Sequence, residues 1–173
     1  MRCERCDVSL ELKSHGPAAR FCSNRCRVAA RRARGNLPVE MTSRNCWTRA
    51  DSKRPIRSDG SPASSTNPLT WSSYSEAKAS TAGDGFGIML GNGIGCYDLD
   101  HALIDGQLTN SASEHLAAIS EPILFTEVSH SGDGLHIFVS APESPGIRRS
   151  GFERYTRARF IRVTGSAFQL QPT

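Results

Sequence analysis

No apolar run in the 173-residue chain approaches the roughly 18 residues of a membrane-crossing helix, so no membrane partner is expected. The opening residues, Met1-Arg2-Cys3-Glu4-Arg5-Cys6, are charged and cysteine-bearing, unlike the apolar core of a secretory signal. A reducing, cytoplasmic setting is the expectation. Glycine is plentiful, yet neither a GxGxxG in strand-to-helix context nor a Walker A sequence occurs, which excludes dinucleotide and P-loop readings. The segment Glu153-Arg154-Tyr155 breaks the Glu-x-Lys pattern of the metal-dependent nucleases, and no His-hydrophobe-His marks a rolling-circle nicking enzyme. No internal repeat is visible. The length allows one ordinary domain plus a small appendage.

What is present is a sharp partition of charge. Residues 1–50 carry eleven Lys/Arg against four Asp/Glu, a net of +7. Residues 51–147 carry four against twelve, a net of −8, and residues 148–173 carry six against one, a net of +5. A basic head and tail around an acidic middle suit a protein that grips phosphates and metal ions together.

Four of the six cysteines lie in the first 26 residues, as Cys3-x₂-Cys6 and Cys22-x₃-Cys26. In a reducing compartment this spacing reads as a tetrahedral zinc site rather than as disulfides. Cys22 and Cys26 share one face if their segment is helical. The run Arg27 to Arg34 that follows holds strong helix formers and four arginines, a cationic face for a nucleic-acid backbone. Phe21-Cys22-Ser23-Asn24-Arg25-Cys26-Arg27 resembles the Phe-Cys-Ser-x-x-Cys-Arg signature of small treble-clef-like fingers. His15 could compete as a ligand, but four cysteines complete the shell. A segment this short has no core of its own, so the metal supplies most of its stability. Cys46 and Cys96 remain ordinary buried or free thiols.

Residues 35–70, dense in Pro, Ser, Asn, Asp and Gly, read as linker, with Lys53-Arg54-Pro55 as their basic patch. A short helix is expected over 72–79. Phe86–Leu90 and Ile94–Leu99 are apolar runs joined by Gly91-Asn92-Gly93, a hairpin signal. Ser111-Ala-Ser-Glu114 resembles a capping box for a helix running to about Ser120. Strands are expected over 123–128, 134–140, 151–156 and 160–164. The fold class is therefore α+β with a largely antiparallel sheet, organised as a finger over 1–34 and a larger domain over 35–173.

Asp98-Leu99-Asp100 closes the strand-like run Ile94 to Tyr97. Residues i and i+2 of a strand share a face, so the two carboxylates project together. Like charges that close repel unless a cation lies between them, and hard Mg²⁺ or Mn²⁺ prefers carboxylate oxygen. Further along come Ser131-Gly132-Asp133-Gly134-Leu135-His136, then Phe152-Glu153-Arg154-Tyr155, then Arg159-Phe160 with Thr164-Gly165.

This order of motifs resembles the bifunctional DNA primase/polymerase (prim-pol) domain of the archaeo-eukaryotic primase superfamily, over roughly residues 38–168. The resemblance implies an RRM-like antiparallel sheet beside a second small subdomain. It also implies a metal-dependent nucleotidyltransferase acting on a single-stranded DNA template with NTPs or dNTPs. Asp98, Asp100 and Glu153 match its metal-binding acidic residues. His136 matches the histidine on the incoming nucleotide's phosphates, Ser131 and Gly132 its triphosphate loop, and Arg159 its Arg-Phe segment. Thr156 departs from the Asp common after the Tyr and leaves the third metal ligand open. The family places such a protein in phage or plasmid DNA replication, in a bacterial or phage-infected cell, where a helicase would be a separate partner. The alternative is a non-catalytic zinc-finger nucleic-acid-binding protein with an inactive primase-like domain.

Overall fold

A computed structural model describes residues 3, 8–10, 21–23, 26 and 37–170. The chain divides into two compact units, 1–36 and 37–173. In the first, the helix expected over 27–34, His15 and Cys6 lie outside the described residues.

The second unit begins with helix α1 (Val39–Thr42) and strands β1 (Trp47–Asp51) and β2 (Arg54–Ile56). A 3₁₀ turn (Pro68–Thr70), helix α2 (Tyr74–Ala79) and strands β3 (Gly85–Met89) and β4 (Ile94–Leu99) follow. Next come the two-residue strands β5 (Leu103–Ile104) and β6 (Gln107–Leu108), helix α3 (Asn110–Ala117), β7 (Ile123–Val128) and β8 (Leu135–Ser140). The unit ends with β9 (Ile147–Arg149), β10 (Phe152–Tyr155) and β11 (Phe160–Val163). Two antiparallel sheets result, one of order β11-β3-β1-β2 and one of order β7-β8-β4-β10-β9, with β5-β6 as a small separate ladder. The α+β, antiparallel expectation is met. No described helix is long and apolar enough to cross a membrane.

Three local expectations are corrected. The stretch 35–70 is not linker: β1 is an inner strand, with Trp47 fully buried and its indole N–H donating to the Met41 carbonyl at 3.0 Å. A buried Trp of this kind contributes about 3–5 kcal/mol by truncation. Arg49 is buried on the same strand because its guanidinium donates to the Ala77 and Ala82 carbonyls. Pro55 is tolerated because β2 is an edge.

The 86–99 hairpin forms its turn but not its ladder. Asn92 (φ 53°) and Gly93 (φ 89°) make the tight turn, and Gly91 and Ile94 exchange two backbone hydrogen bonds. Beyond that pair the strands diverge, β3 into the four-stranded sheet and β4 into the five-stranded one. Helix α3 is capped by Thr109, whose hydroxyl accepts from the Ala112 N–H, two residues before the anticipated box. The capping box that does form is Ser73 with Glu76 at the start of α2.

Strand alternation gives the five-stranded sheet two different faces. Tyr97, Leu99, Leu135, Ile137, Val139 and Phe152 pack on the α3 side with Ala112, Leu116 and Ile119. Ile94, Cys96 and Phe138 face the other way and join Trp47, Ile88, Met89, Ile161 and Val163 of the four-stranded sheet. The next positions along this second face are Asp98 and His136. The polar residues therefore begin where the core between the sheets ends.

Candidate active site

Register places five side chains in one row across all five strands. Glu127 of β7 opposes His136 of β8, and His136 opposes Asp98 of β4. Asp98 opposes Glu153 of β10, and Glu153 opposes Arg148 of β9. Directly opposed residues share a face and sit about 5 Å apart, so three neighbouring pairs of the row set an acid against a base and one, Asp98 against Glu153, sets two acids together. Asp100 follows one residue past the end of β4.

A cleft of about 280 Å³ opens over this row. Asp98, Asp100 and His136 line it together with the loop Ser129-His130-Ser131 and three cationic side chains, Lys53 of the β1–β2 turn, Arg159 just before β11 and Arg162 of β11. Of the residues singled out from sequence, Asp98, Asp100, Ser131, His136 and Arg159 thus meet in one cavity. Glu153 stands beside Asp98 in the row. Gly132 lies at the loop tip outside the lining, in open space. Gly134 has a packing reason instead: a Cβ there would meet the Leu99 carbonyl at 2.9 Å and the Ser129 hydroxyl at 2.7 Å.

Electrostatics distinguish the carboxylates. Burial pushes the Asp98 carboxyl above its usual range, and Asp100 and Glu153 add to the rise while His136 and Arg159 oppose it. Among the described residues no hydrogen bond is donated to the Asp98 or Asp100 side chains. His136 Nε2 stands 3.7 Å from Asp98 Oδ1. Glu153 is held low, chiefly by the Tyr155 hydroxyl at 2.7 Å and by Arg148 Nε at 2.7 Å. Arg159 lies 3.7 Å from the same carboxylate and stacks over the Tyr155 ring at 4.6 Å. In the loop, the Ser131 hydroxyl donates to Asp133 at 2.6 Å, and Asp133 also pairs with His101 at 2.6 Å.

Asp98 and Asp100, hard oxygen ligands to which no described residue donates, fit a divalent cation, which would offset the burial and the repulsion that raise Asp98. Asp98 and Asp100 fit this without rearrangement, whereas Glu153 would exchange its contacts with Arg148 or Tyr155.

Sequence reasoning missed Glu127, the fully buried carboxylate behind His136. Its signal was a lone acid in the otherwise apolar and neutral strand Ile123-Leu-Phe-Thr-Glu-Val128. Lys53 was noted as part of a basic patch but not placed in a site.

Within 1–36, Cys3, Cys22 and Cys26 bring their sulfurs within 4.8 Å of one another, close enough to hold a metal ion such as zinc. The Cys22 N–H donates to Cys3 Sγ at 3.4 Å and the Cys26 N–H to the Ser23 hydroxyl at 3.2 Å, which orients the thiols. Cys46 and Cys96 belong to the second unit, and both are buried. Burial raises the Cys46 thiol to about 11 and Cys96 well above its ordinary value.

Over 133 aligned residues the chain is 33% identical to a protein of Nitratiruptor phage NrS-1 named DNA Primase-polymerase. The chain is similar to a DNA primase-polymerase. The match covers 68% of this chain but 18% of that relative's length, so it concerns one part of a much larger protein. No family model matches the chain.

Proposed function

We propose that the chain is a primase-polymerase module that carries out template-directed nucleotidyl transfer. The observation that carries this reading is the in-register row that sets Asp98 between His136 and Glu153, with Asp100 and Arg159 on the same cleft. The similarity to the phage DNA primase-polymerase supports it.

In this reading Asp98 and Asp100, with Glu153 as the third acid, hold Mg²⁺ or Mn²⁺. Bound there, the metal ions supply Lewis-acid activation of a 3′-hydroxyl and charge neutralisation on the leaving pyrophosphate. A primer's 3′-oxygen attacks the α-phosphorus of the incoming nucleotide, and the bond to pyrophosphate breaks. The chain's own part is positioning and electrostatics. His136 presents Nε2 to the triphosphate. Ser131 and Gly132 bring the loop against it, and Arg159 and Lys53 add positive charge to the same cleft. Cys3, Cys6, Cys22 and Cys26 hold zinc, and the basic finger binds single-stranded template. Both NTPs and dNTPs are candidate substrates, DNA replication is the setting, and any helicase is a separate protein.

A second reading, a non-catalytic zinc-finger nucleic-acid-binding protein, is favoured by one feature. Arg148 and Tyr155 already occupy both oxygens of Glu153. Extension of primed and unprimed single-stranded templates, with NTPs and dNTPs supplied separately, tests the two. Incorporation under either condition supports the enzyme. Template binding with no incorporation on any template supports the binding module.

A further inference from the structure

Glu127 is buried completely, where an ionised carboxylate is tolerated only if hydrogen bonds replace its lost water. Three N–H groups do so. His136 Nδ1 lies 3.0 Å from Oε1, the Thr164 amide 3.1 and 3.0 Å from the two oxygens, and the Gly165 amide 2.8 Å from Oε2. Thr164 and Gly165 directly follow β11 of the four-stranded sheet, whereas Glu127 and His136 belong to the five-stranded one. The Thr164 hydroxyl reinforces the junction by donating to the Val128 carbonyl at 2.7 Å.

We propose that Glu127 is a positioning residue that fixes the orientation and proton placement of His136. A carboxylate can only accept, so the Nδ1 facing it carries the proton. Nε2 is thereby aimed at Asp98 and the cleft, and the edge-on ring of Phe138, 6.2 Å away at 73°, limits rotation. The same carboxylate ties the ring to the β11 side of the cleft, which carries Arg159 and Arg162. The two amides of the Thr164-Gly165 pair, which ends the motif series, thus hold the acid that holds the histidine. The consequence for the nucleotide rests on the reading of His136 as a phosphate ligand.

The test uses the full chain labelled with ¹⁵N-histidine, with long-range ¹H–¹⁵N spectra of the ring. In the wild type, Nδ1 of His136 is expected to be protonated, and an unprotonated Nδ1 overturns the proposal without any variant. In Glu127→Gln the amide oxygen is kept by the Thr164 and Gly165 N–H groups, so the NH₂ turns to the ring and the proton moves to Nε2. A phosphate oxygen needs an N–H at Nε2. With nucleotide bound, the wild-type ring therefore donates from both nitrogens, to Glu127 and to phosphate, and is positively charged, whereas the variant's ring donates from Nε2 alone and is neutral. The KM for nucleotide is then expected to rise about tenfold, with a smaller change in kcat. An unchanged protonation pattern in folded Glu127→Gln overturns the proposal whatever the kinetics. A switched pattern with an unchanged KM upholds the positioning role and overturns instead the assignment of His136 to the phosphates.

Discussion

Asp98→Asn should make the metal-free protein more stable while removing its activity. Burial, Asp100 and Glu153 all disfavour the Asp98 charge, and His136 and Arg159 compensate it only in part. A like charge directly opposite on a neighbouring strand costs about 0.2–1 kcal/mol. Removing it by an isosteric amide should raise Tm by about 0.4–4 °C for a chain of this size. The sign carries over to pH. The folded-state pKa of Asp98 lies above its unfolded value, so its charge costs stability above that pKa and the cost vanishes as pH falls through it. In the presence of chelator, the Tm difference between variant and wild type should therefore be largest near neutrality. It should close as the pH is lowered towards the ordinary aspartate value of 3.8. Added Mg²⁺ or Mn²⁺ should reverse the order. Binding to the folded state alone adds about 2.7 kcal/mol at about a hundredfold excess over Kd, and the variant loses most of that gain. Thermal melts by circular dichroism, with chelator and with metal at several pH values, provide the assay. A Tm for Asp98→Asn several degrees below wild type in chelator would refute the reasoning, because Asp98 would then be a structural group satisfied by His136.

Elemental analysis should find about one zinc per chain, lost in Cys22→Ser and retained in Cys46→Ser; stoichiometric zinc in the quadruple variant of Cys3, Cys6, Cys22 and Cys26 would remove the assignment. Deleting residues 1–34 should weaken single-stranded template binding and flatten its salt dependence more than it affects nucleotide binding; unchanged template affinity and priming would give the finger to a protein partner instead. His136→Ala should raise the KM for nucleotide in steady-state extension, with kcat falling as well if the ring also aligns the phosphates in the transition state. An unaltered KM would remove His136 from the triphosphate site.

The strands that hold the row were legible because their apolar patterning is strong. Ile123–Val128 lies where expected, and the runs ending at Ser140, around Glu153 and after Arg159 match to within a residue at each end. The partition into two sheets was not legible. Asn92-Gly93 encodes a turn, but nothing local to it says that β3 will pair with β1 and β11 rather than with β4. Strand β1 escaped notice because its buried positions include the polar Thr48 and also Arg49, whose burial depends on carbonyls supplied by α2 and the segment after it. The Asp98, Asp100 and His136 cluster could be anticipated from strand periodicity and motif order. Glu127 could not, because its partners Thr164 and Gly165 lie 37 and 38 residues away in sequence. Long-range hydrogen bonding of a buried charge leaves no periodic trace, only an acid in an apolar strand.

Incorporation of labelled nucleotide on a primed single-stranded template with Mg²⁺ or Mn²⁺ tests the central claim most directly, comparing the full chain with Asp98→Asn and Asp100→Asn. The account predicts incorporation by the wild type and only background by each variant, with circular dichroism showing both variants folded. Wild-type incorporation by folded Asp98→Asn or Asp100→Asn would contradict it.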